Sequence, residues 1–408
     1  MKTFLARLWV EWNIAISFLR EGRIQSLMIT LGVAVGVAVI VFITALMQGL
    51  QSNTIQRTLG TQAHIRLMSP DDVNNIVSVP NGTVQLIQED QRAQKLRSIN
   101  NWQQIMNTLD QSETLTAVSP VVSGPAFVQR GNAQKSVILV GVNPERYQKI
   151  IPLQNYMVSG QFRLSPDQVI IGQQLAKDLG VKVGSKIRLN TGDEKNSVTV
   201  TIIGIFEFGV RELDSGYIYM DLKQAQSLLN LAGGITVLEL TVNDIFKAED
   251  IANQIGRLTT LKAESWIKTN SQLMNALSAQ SLSTNMIISF VGISVAFGIS
   301  SVLSVSVVQR TREIGILRAT GATRPQILRI FLFQGAIFGL IGSIAGSAIS
   351  YLLVWIFNNF GPGLFYIPIS TTLILLTLFS ATLIGILAAV FPAKRAAALN
   401  PVEAIRHV

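Results

Sequence analysis

Four stretches of this chain run without a charged side chain for long enough to cross a membrane: Ser26–Met47, Met286–Val308, Ile330–Phe357 and Thr371–Pro392. At 1.5 Å per residue, each reaches across a hydrocarbon core of roughly 30 Å as a helix. The first is longer than the apolar part of a signal peptide and no small-x-small cleavage site follows it, so it is expected to stay in the membrane. Ahead of it, Met1–Gly22 has a helical period. Leu5, Leu8, Trp9, Trp12, Ile16 and Leu19 fall within a stripe of roughly 100°, and Arg7 and Glu11 lie away from it. With Lys2, Arg7, Arg20 and Arg23 beside its two tryptophans, this helix suits either the headgroup layer or the surface of a partner subunit.

The pattern changes between Leu50 and Ser283, where polar and apolar residues mix. Alternating or β-branched runs predict strands at Ala63–Met68, Ala126–Gln129, Ser136–Val142, Val169–Ile171, Lys186–Leu189, Ser197–Phe208, Tyr217–Met220 and Thr236–Val242. Helical runs predict helices at Glu89–Leu109, Gln173–Leu179, Leu222–Leu231 and Lys247–Leu258. Asn190–Asn196 reads as a hairpin turn and Ser69–Gly82 as a surface loop. The expected fold class is thus a helical membrane domain of four spans with a large α+β domain inserted between spans one and two. Gly32 and Gly36, Gly335 and Gly339, and Gly342 and Gly346 are each four residues apart, a spacing that lets helices pack closely within the chain or between copies.

Composition agrees with this division. Over 408 residues the chain is 49% hydrophobic and only 14% charged. It has no cysteine, which excludes disulfides, zinc-thiolate sites and thiol nucleophiles. The two histidines, His64 and His407, have no ligand cluster around them in the sequence, and a lone histidine reads as structural or solvated.

Charge sets the expected orientation. The termini and the segment between spans two and three hold twelve lysines and arginines against four carboxylates; the α+β stretch holds 21 against 20. Almost all of the net +9 therefore lies on one side of the membrane, the cytoplasmic side by the positive-inside rule. This placement also removes nucleic acid as the reason for the basic balance. The expected order begins with an interfacial helix at 1–25, span one at 26–48 and the extracytoplasmic α+β domain at 49–283, with an inserted subdomain at about 165–221. Span two at 284–308, a cytoplasmic elbow at 309–329, span three at 330–357, an outer loop at 358–370, span four at 371–393 and a cytoplasmic tail at 394–408 follow.

No catalytic constellation stands out. The phosphate-loop spacing Gly-x-x-x-x-Gly-Lys-Ser/Thr is missing, and Gly180–Lys186 has the wrong spacing for it. The spans contain no Asp, Glu, Lys, Arg or His, the groups that ion-coupled transporters place in the membrane. Any work the protein does must draw on an energy source elsewhere, and the elbow is the obvious port. Its segment Gln309–Arg329 holds five arginines against one glutamate. Arg310–Thr320 reads as a short helix with Gly321 as a left-handed stop; Thr323 then caps the next helix, with Pro325 in its first turn. One reading gives these arginines only a topological role. The other makes Ile314, Gly315, Leu317 and Gly321 a small knob for a cytoplasmic partner.

Thr311–Thr323, read with the closing Phe391–Arg406, resembles the FtsX-like permease family, membrane subunits of type VII ABC transporters with lipoprotein-releasing and macrolide-export branches. Ile170–Arg188 and Trp266–Asn285 resemble ectodomain segments of the same family, and the pattern leans toward the lipoprotein-releasing branch. The resemblance implies a MacB-like periplasmic core and a non-catalytic permease that pairs with a second copy or a paralogue. It also implies a cytoplasmic ATPase subunit, which would bind the ATP, docked on a coupling helix at about Arg310–Thr320. Arg312, Glu313, Ile314, Leu317 and Arg318 would face that subunit, and ATP-driven closure would be relayed to the outer domains, a mode called mechanotransmission. With about 25 residues ahead of the first span, the ATPase is expected as a separate chain. One permease of the lipoprotein-releasing branch uses a long hook to engage a periplasmic carrier; here the corresponding hairpin is the short polar Asn190–Asn196. The alternatives are a tripartite efflux pump working with a membrane-fusion protein, and a scaffold that activates a cell-wall hydrolase.

Overall fold

The computed structural model describes residues 2–70, 96–191 and 197–400, without the side chains of residues 2–8. The loop expected at Ser69–Gly82 past its first two residues, the first turns of the helix expected from Glu89, the interior of the Asn190–Asn196 hairpin, the tail beyond Asn400 and His407 lie outside the described residues. The chain divides into two compact units, one of residues 1–55 with 275–408 and one of residues 56–274.

In the first unit the helices are α1 (Lys2–Glu21), α2 (Arg23–Leu59), α3 (Ser271–Gln309), α4 (Thr311–Ala319), α5 (Arg324–Phe360) and α6 (Thr371–Ala398). Four of these, α2, α3, α5 and α6, are long and apolar enough to cross a membrane. Helices α2 and α3 run 37 and 39 residues, well beyond what a 30 Å core needs; α2 continues through Gly49, which is buried, and ends just before Gly60. Helix α6 passes through Pro392 unbroken and buries Ala393, Ala396 and Ala397. The loop after α5 is closed by Asn358, whose side chain accepts from Ile367 N–H and donates to Ile367 O, both at 3.0 Å.

The glycines decide how these helices meet. A methyl group on Gly335 would strike the Gly385 carbonyl and the Ala389 side chain of α6, and one on Gly339 would come within 2.7 Å of the Ala381 carbonyl. Both therefore serve packing within this chain. Gly342 and Gly346 likewise back onto Val33, Ala34 and Val37 of α2. Gly36 is buried against Val295 of α3, whereas nothing lies within 4 Å of a methyl on Gly32. The pair Gly32 and Gly36 thus does not form one free face; only Gly32 remains open.

The second unit is built on one mixed sheet. Its strands are β1 (Ile65–Met68), β2 (Leu115–Arg130), β3 (Ala133–Val142), β4 (Met157–Gly160), β5 (Gln168–Gly172), β6 (Lys186–Asn190), β7 (Ser197–Phe206), β8 (Tyr217–Asp221), β9 (Val237–Val242) and β10 (Lys262–Ser265). Their order is β10-β1-β9-β2-β3-β8-β5-β7-β4, with β6 pairing β2 and β7. Strand β3 runs parallel to β8 and β5 parallel to β7. The stretch 165–221, expected as an inserted subdomain, contributes four strands to this same sheet.

Strand β2 is far longer than the expected Ala126–Gln129, and Pro120 and Pro125 lie inside it. Pro120 faces β9 just before pairing with β3 begins at Val121. Pro125 faces β3 in the gap between the β9 and β6 partners. Each proline sits where β2 is paired on one side only, so no two-sided ladder position loses its donor. His64 has a structural role: its Nδ1 accepts from Val242 N–H at 3.1 Å, and burial lowers its pKa.

Glu239 on β9 is buried, and removal from water raises its carboxyl pKa, while Arg66 across the strand pair opposes the rise. The folded chain therefore holds this proton to higher pH than the unfolded chain. Stability falls as pH climbs from the ordinary carboxylate range through the folded value, then stays at the lower level. Glu239→Gln is expected to raise the unfolding temperature above that window, with the advantage shrinking as pH drops below it. Superimposable profiles of unfolding temperature against pH for the two proteins would count against this.

Candidate functional site

The elbow helix α4 joins α3 to α5 and is held at both ends by its own chain. At the entry, Arg310 is only 11% exposed in its side chain. Its guanidinium donates to Glu21 Oε2 at 2.8 Å, to Glu313 Oε2 at 3.3 Å and to the Phe18 carbonyl at 2.7 Å, and lies 4.6 Å from the centre of the Phe18 ring. A charge-assisted donor fork stacked on an aromatic face is a rigid arrangement. Gln25 Nε2 adds a bond to Gln309 Oε1 at 2.9 Å. These contacts fasten the start of α4 to the corner between α1 and α2.

At the exit, Arg318 Nη1 donates to the Ala397 carbonyl at 2.7 Å, satisfying an orphan acceptor in the last turn of α6. Gly321 follows in the left-handed region at φ +103°, and Ala322 N–H bonds to Leu317 O at 2.9 Å, closing the helix. Thr323 then opens α5, its N–H donating to Gln326 Oε1 at 2.8 Å, with Pro325 in the first turn.

Between these clamps α4 has two faces. Ile314 is 0% exposed and belongs to the apolar core made with Ala15, Val307, Ile327, Phe331 and Ala396. Gly315 is buried, and Leu317 packs against the same core. The outward face carries Arg312, Glu313, Ile316 and Ala319, with Ile316 48% exposed. Of the residues expected to face a partner, Arg312 and Glu313 are exposed, and Gly321 is an exposed turn. Ile314, Gly315, Leu317 and Arg318 turn inward, because α1, α5 and α6 cover that side of α4. Ile316 was not among the expected residues. At 100° per residue Arg312, Ile316 and Ala319 share one side of the helix and Arg310, Ile314, Leu317 and Arg318 the other, with Glu313 and Gly315 at the two boundaries.

The interfacial helix α1 also belongs to this site. Glu11, read as facing away from the apolar stripe, is 2% exposed. It accepts both prongs of the Arg329 guanidinium, at 2.9 Å from Nε and 2.7 Å from Nη2, and so turns into the chain. Trp12 meets Phe333 edge to face with ring centres 5.8 Å apart. Helix α1 therefore packs on α5 of its own chain, leaving Trp9 outward. A cavity of about 450 Å³ lies between α1, α4 and α5, lined by Val10, Glu11, Ile14, Leu317, Gly321 and Ile330. The pair Glu11 and Arg329 is 318 residues apart in sequence, and no local pattern links them.

The elbow is thus a short helix with a fixed inner face, a charged and apolar outer face, and clamps to α1 and α6. Residues 26–258 match the MacB-like periplasmic core domain, and residues 285–401 match the FtsX-like permease C-terminal domain. The chain belongs to this family of multi-pass membrane permeases. Among its relatives, the lipoprotein-releasing system transmembrane protein LolE of Haemophilus influenzae is 27% identical, and LolC of Xylella fastidiosa is 24% identical. The match covers 92% of both chains in each case. The macrolide export ATP-binding/permease protein MacB of Acinetobacter baylyi is 25% identical over 99% of this chain and 60% of its own length.

Proposed function

We propose that this chain is the permease subunit of a type VII ABC transporter in the bacterial inner membrane. A separate ATP-hydrolysing subunit docks on Arg312, Glu313 and Ile316 of α4. The chain relays that subunit's closure from α4, braced on α1 and α6, through α3 to the α+β unit, which lies between the first two spans and outside the membrane. The observation that carries this reading is the double clamp on α4. A push on its outer face is passed through Arg310 to α1 and through Arg318 to α6, with no slack loop to absorb it. Uncharged spans support it as well, since the energy must enter from outside the membrane.

The transported material is a lipoprotein or a similar lipidated amphiphile, extracted from the membrane. The relatives that match over nearly their whole length on both sides are lipoprotein-releasing proteins, whereas MacB matches over 60% of its length. A second permease, identical or paralogous, completes the assembly, and the open side of Gly32 on α2 is available to it. Gly335 and Gly339 are spent on packing within the chain and have no part in that contact. A periplasmic acceptor protein takes the cargo onward.

Pulling down a tagged copy from native membranes tests the core of this reading. An ABC-type ATPase should come with it, and the chain alone should not hydrolyse ATP; hydrolysis by the isolated chain would overturn the reading. Sidedness has its own test, helped by the lack of native cysteine. In spheroplasts, an impermeant maleimide should label Leu258→Cys at once and Lys394→Cys only after permeabilisation. The opposite order would invert the proposed topology.

A further inference from the structure

The α+β unit contains a cavity of about 370 Å³ over one face of its sheet. The floor is set by strand register. Arg66 of β1 lies directly opposite Glu239 of β9, and Glu239 opposite Ser119 of β2. The same face continues through Val121 and Val140 to Tyr219. Most of that face is ordinary apolar core, so an acid in the middle of it is out of place.

Glu239 is 9% exposed, and its Oε2 has no hydrogen-bond partner. Its Oε1 is 3.7 Å from Arg66 Nε, too far for a hydrogen bond, and Arg66 Nε itself is buried without one. Gln62 Nε2, on the cavity lining, is also buried and unpartnered. The lining also carries three tyrosines, Tyr147, Tyr217 and Tyr219, and the rings of Tyr147 and Tyr219 meet at a tilt with centres 5.8 Å apart. One carboxylate oxygen and two N–H donors are thus left over at one end of the cavity, with the unpartnered Ser119 hydroxyl on the strand opposite Glu239, while the other walls are mainly apolar and aromatic with Thr61 and Ser123 among them. Buried polar groups are seldom left so unless something else completes them.

We propose that this cavity binds a short peptide-like segment through a neutral amide. The carbonyl accepts from Gln62 Nε2 and Arg66 Nε, the amide N–H donates to Glu239 Oε2, and the flanking apolar groups lie against Tyr217, Phe208 and Ile151.

Charge and shape select this class. A cation would face the Arg66 guanidinium and an anion the Glu239 carboxylate, whereas an amide offers one donor and one acceptor side by side. A sugar would press part of its hydroxyl shell against Val121, Val140, Ile151 and Leu213, where only Thr61, Ser123 and the tyrosine hydroxyls of the lining stand near enough to bond it. An extended peptide alternates polar backbone with apolar side chains, as the lining does. The site lies wholly within the α+β unit and stands independently of the elbow's role.

The test uses the full chain in lipid nanodiscs and N-acetyl-leucine methylamide as probe, followed by saturation-transfer NMR. Saturable binding is expected. Glu239→Leu and Gln62→Leu should each weaken it about tenfold, the effect of removing one buried partner. Glu239→Gln keeps shape and an acceptor oxygen, so it should bind within about threefold of the parent, and it guards against a folding artefact. The analogue with both amide nitrogens replaced by oxygen should also lose about tenfold. No saturable binding to the parent would mean that the cavity holds water only, and equal binding by Glu239→Leu or by the ester analogue would remove the assigned contacts. Either result overturns the proposal.

Discussion

Ile314→Asp is expected to yield no stably folded protein, and Ile316→Asp, two residues away, to fold normally and lose its ATPase subunit. The contrast follows from the two faces of α4. Ile314 has no exposed surface and touches a core shared by α1, α3, α5 and α6. A carboxylate there is buried without a partner, which costs more than about 4 kcal/mol, a large part of a typical domain's stability. Ile316 is half exposed, so the same change alters stability by only about 0.5 kcal/mol. If Ile316 is the apolar centre of the ATPase contact, its loss costs that contact roughly 2 kcal/mol or more, about a thirtyfold drop in affinity. Yield and unfolding temperature read the first effect, and retention of the ATPase through purification reads the second. A folded Ile314→Asp protein that merely loses its ATPase would reverse the assignment of the faces.

Arg329→Met is expected to destabilise the membrane unit by about 3 kcal/mol, while the double change Glu11→Leu with Arg329→Met comes close to neutral. Breaking a buried ion pair from one side strands the other charge, whereas replacing both with apolar groups removes the desolvation cost together with the attraction. Glu11 is the stranded partner here, since it is almost fully covered and Arg329 is not. The value sits at the lower end of the usual range because water reaches the arginine. A double-mutant cycle of unfolding free energies in detergent measures the coupling directly. If Arg329→Met is as stable as the parent, α1 is not held by this pair.

The membrane helices were legible because an uncharged apolar run of about twenty residues or more is too long for most core helices and suits the thickness of a bilayer. Their ends were not. Helices α2 and α3 carry on through polar residues such as Gln48, Gln51 and Ser271, where hydropathy has stopped but helix propensity has not. The close of the elbow at Gly321 was legible from one residue, since glycine there permits the positive φ. Which side of the elbow faces inward depends on α1 and α6, whose partners Glu21 and Ala397 lie 289 and 79 residues away. The helical period already grouped the residues; it did not say which group was buried. Strand β2 extends well before the alternating run Ala126–Gln129 because Pro120 and Pro125 sit where it is paired on one side only, so neither breaks the ladder. The helical period places Glu11 off the apolar stripe but cannot show that it is buried, since its partner Arg329 is on another helix.

The central claim is that force enters at α4 and leaves at the α+β unit. With no native cysteine and Leu258 79% exposed, a spin label at Leu258→Cys reports on the outer unit of each permease in the assembled complex. The measurement is the label-to-label distance with and without a non-hydrolysable ATP analogue. Nucleotide should shift the distance when the ATPase is bound to the parent chain, and should leave it unchanged when Ile316→Asp is added. A shift that survives Ile316→Asp, or that occurs without the ATPase, would contradict the account.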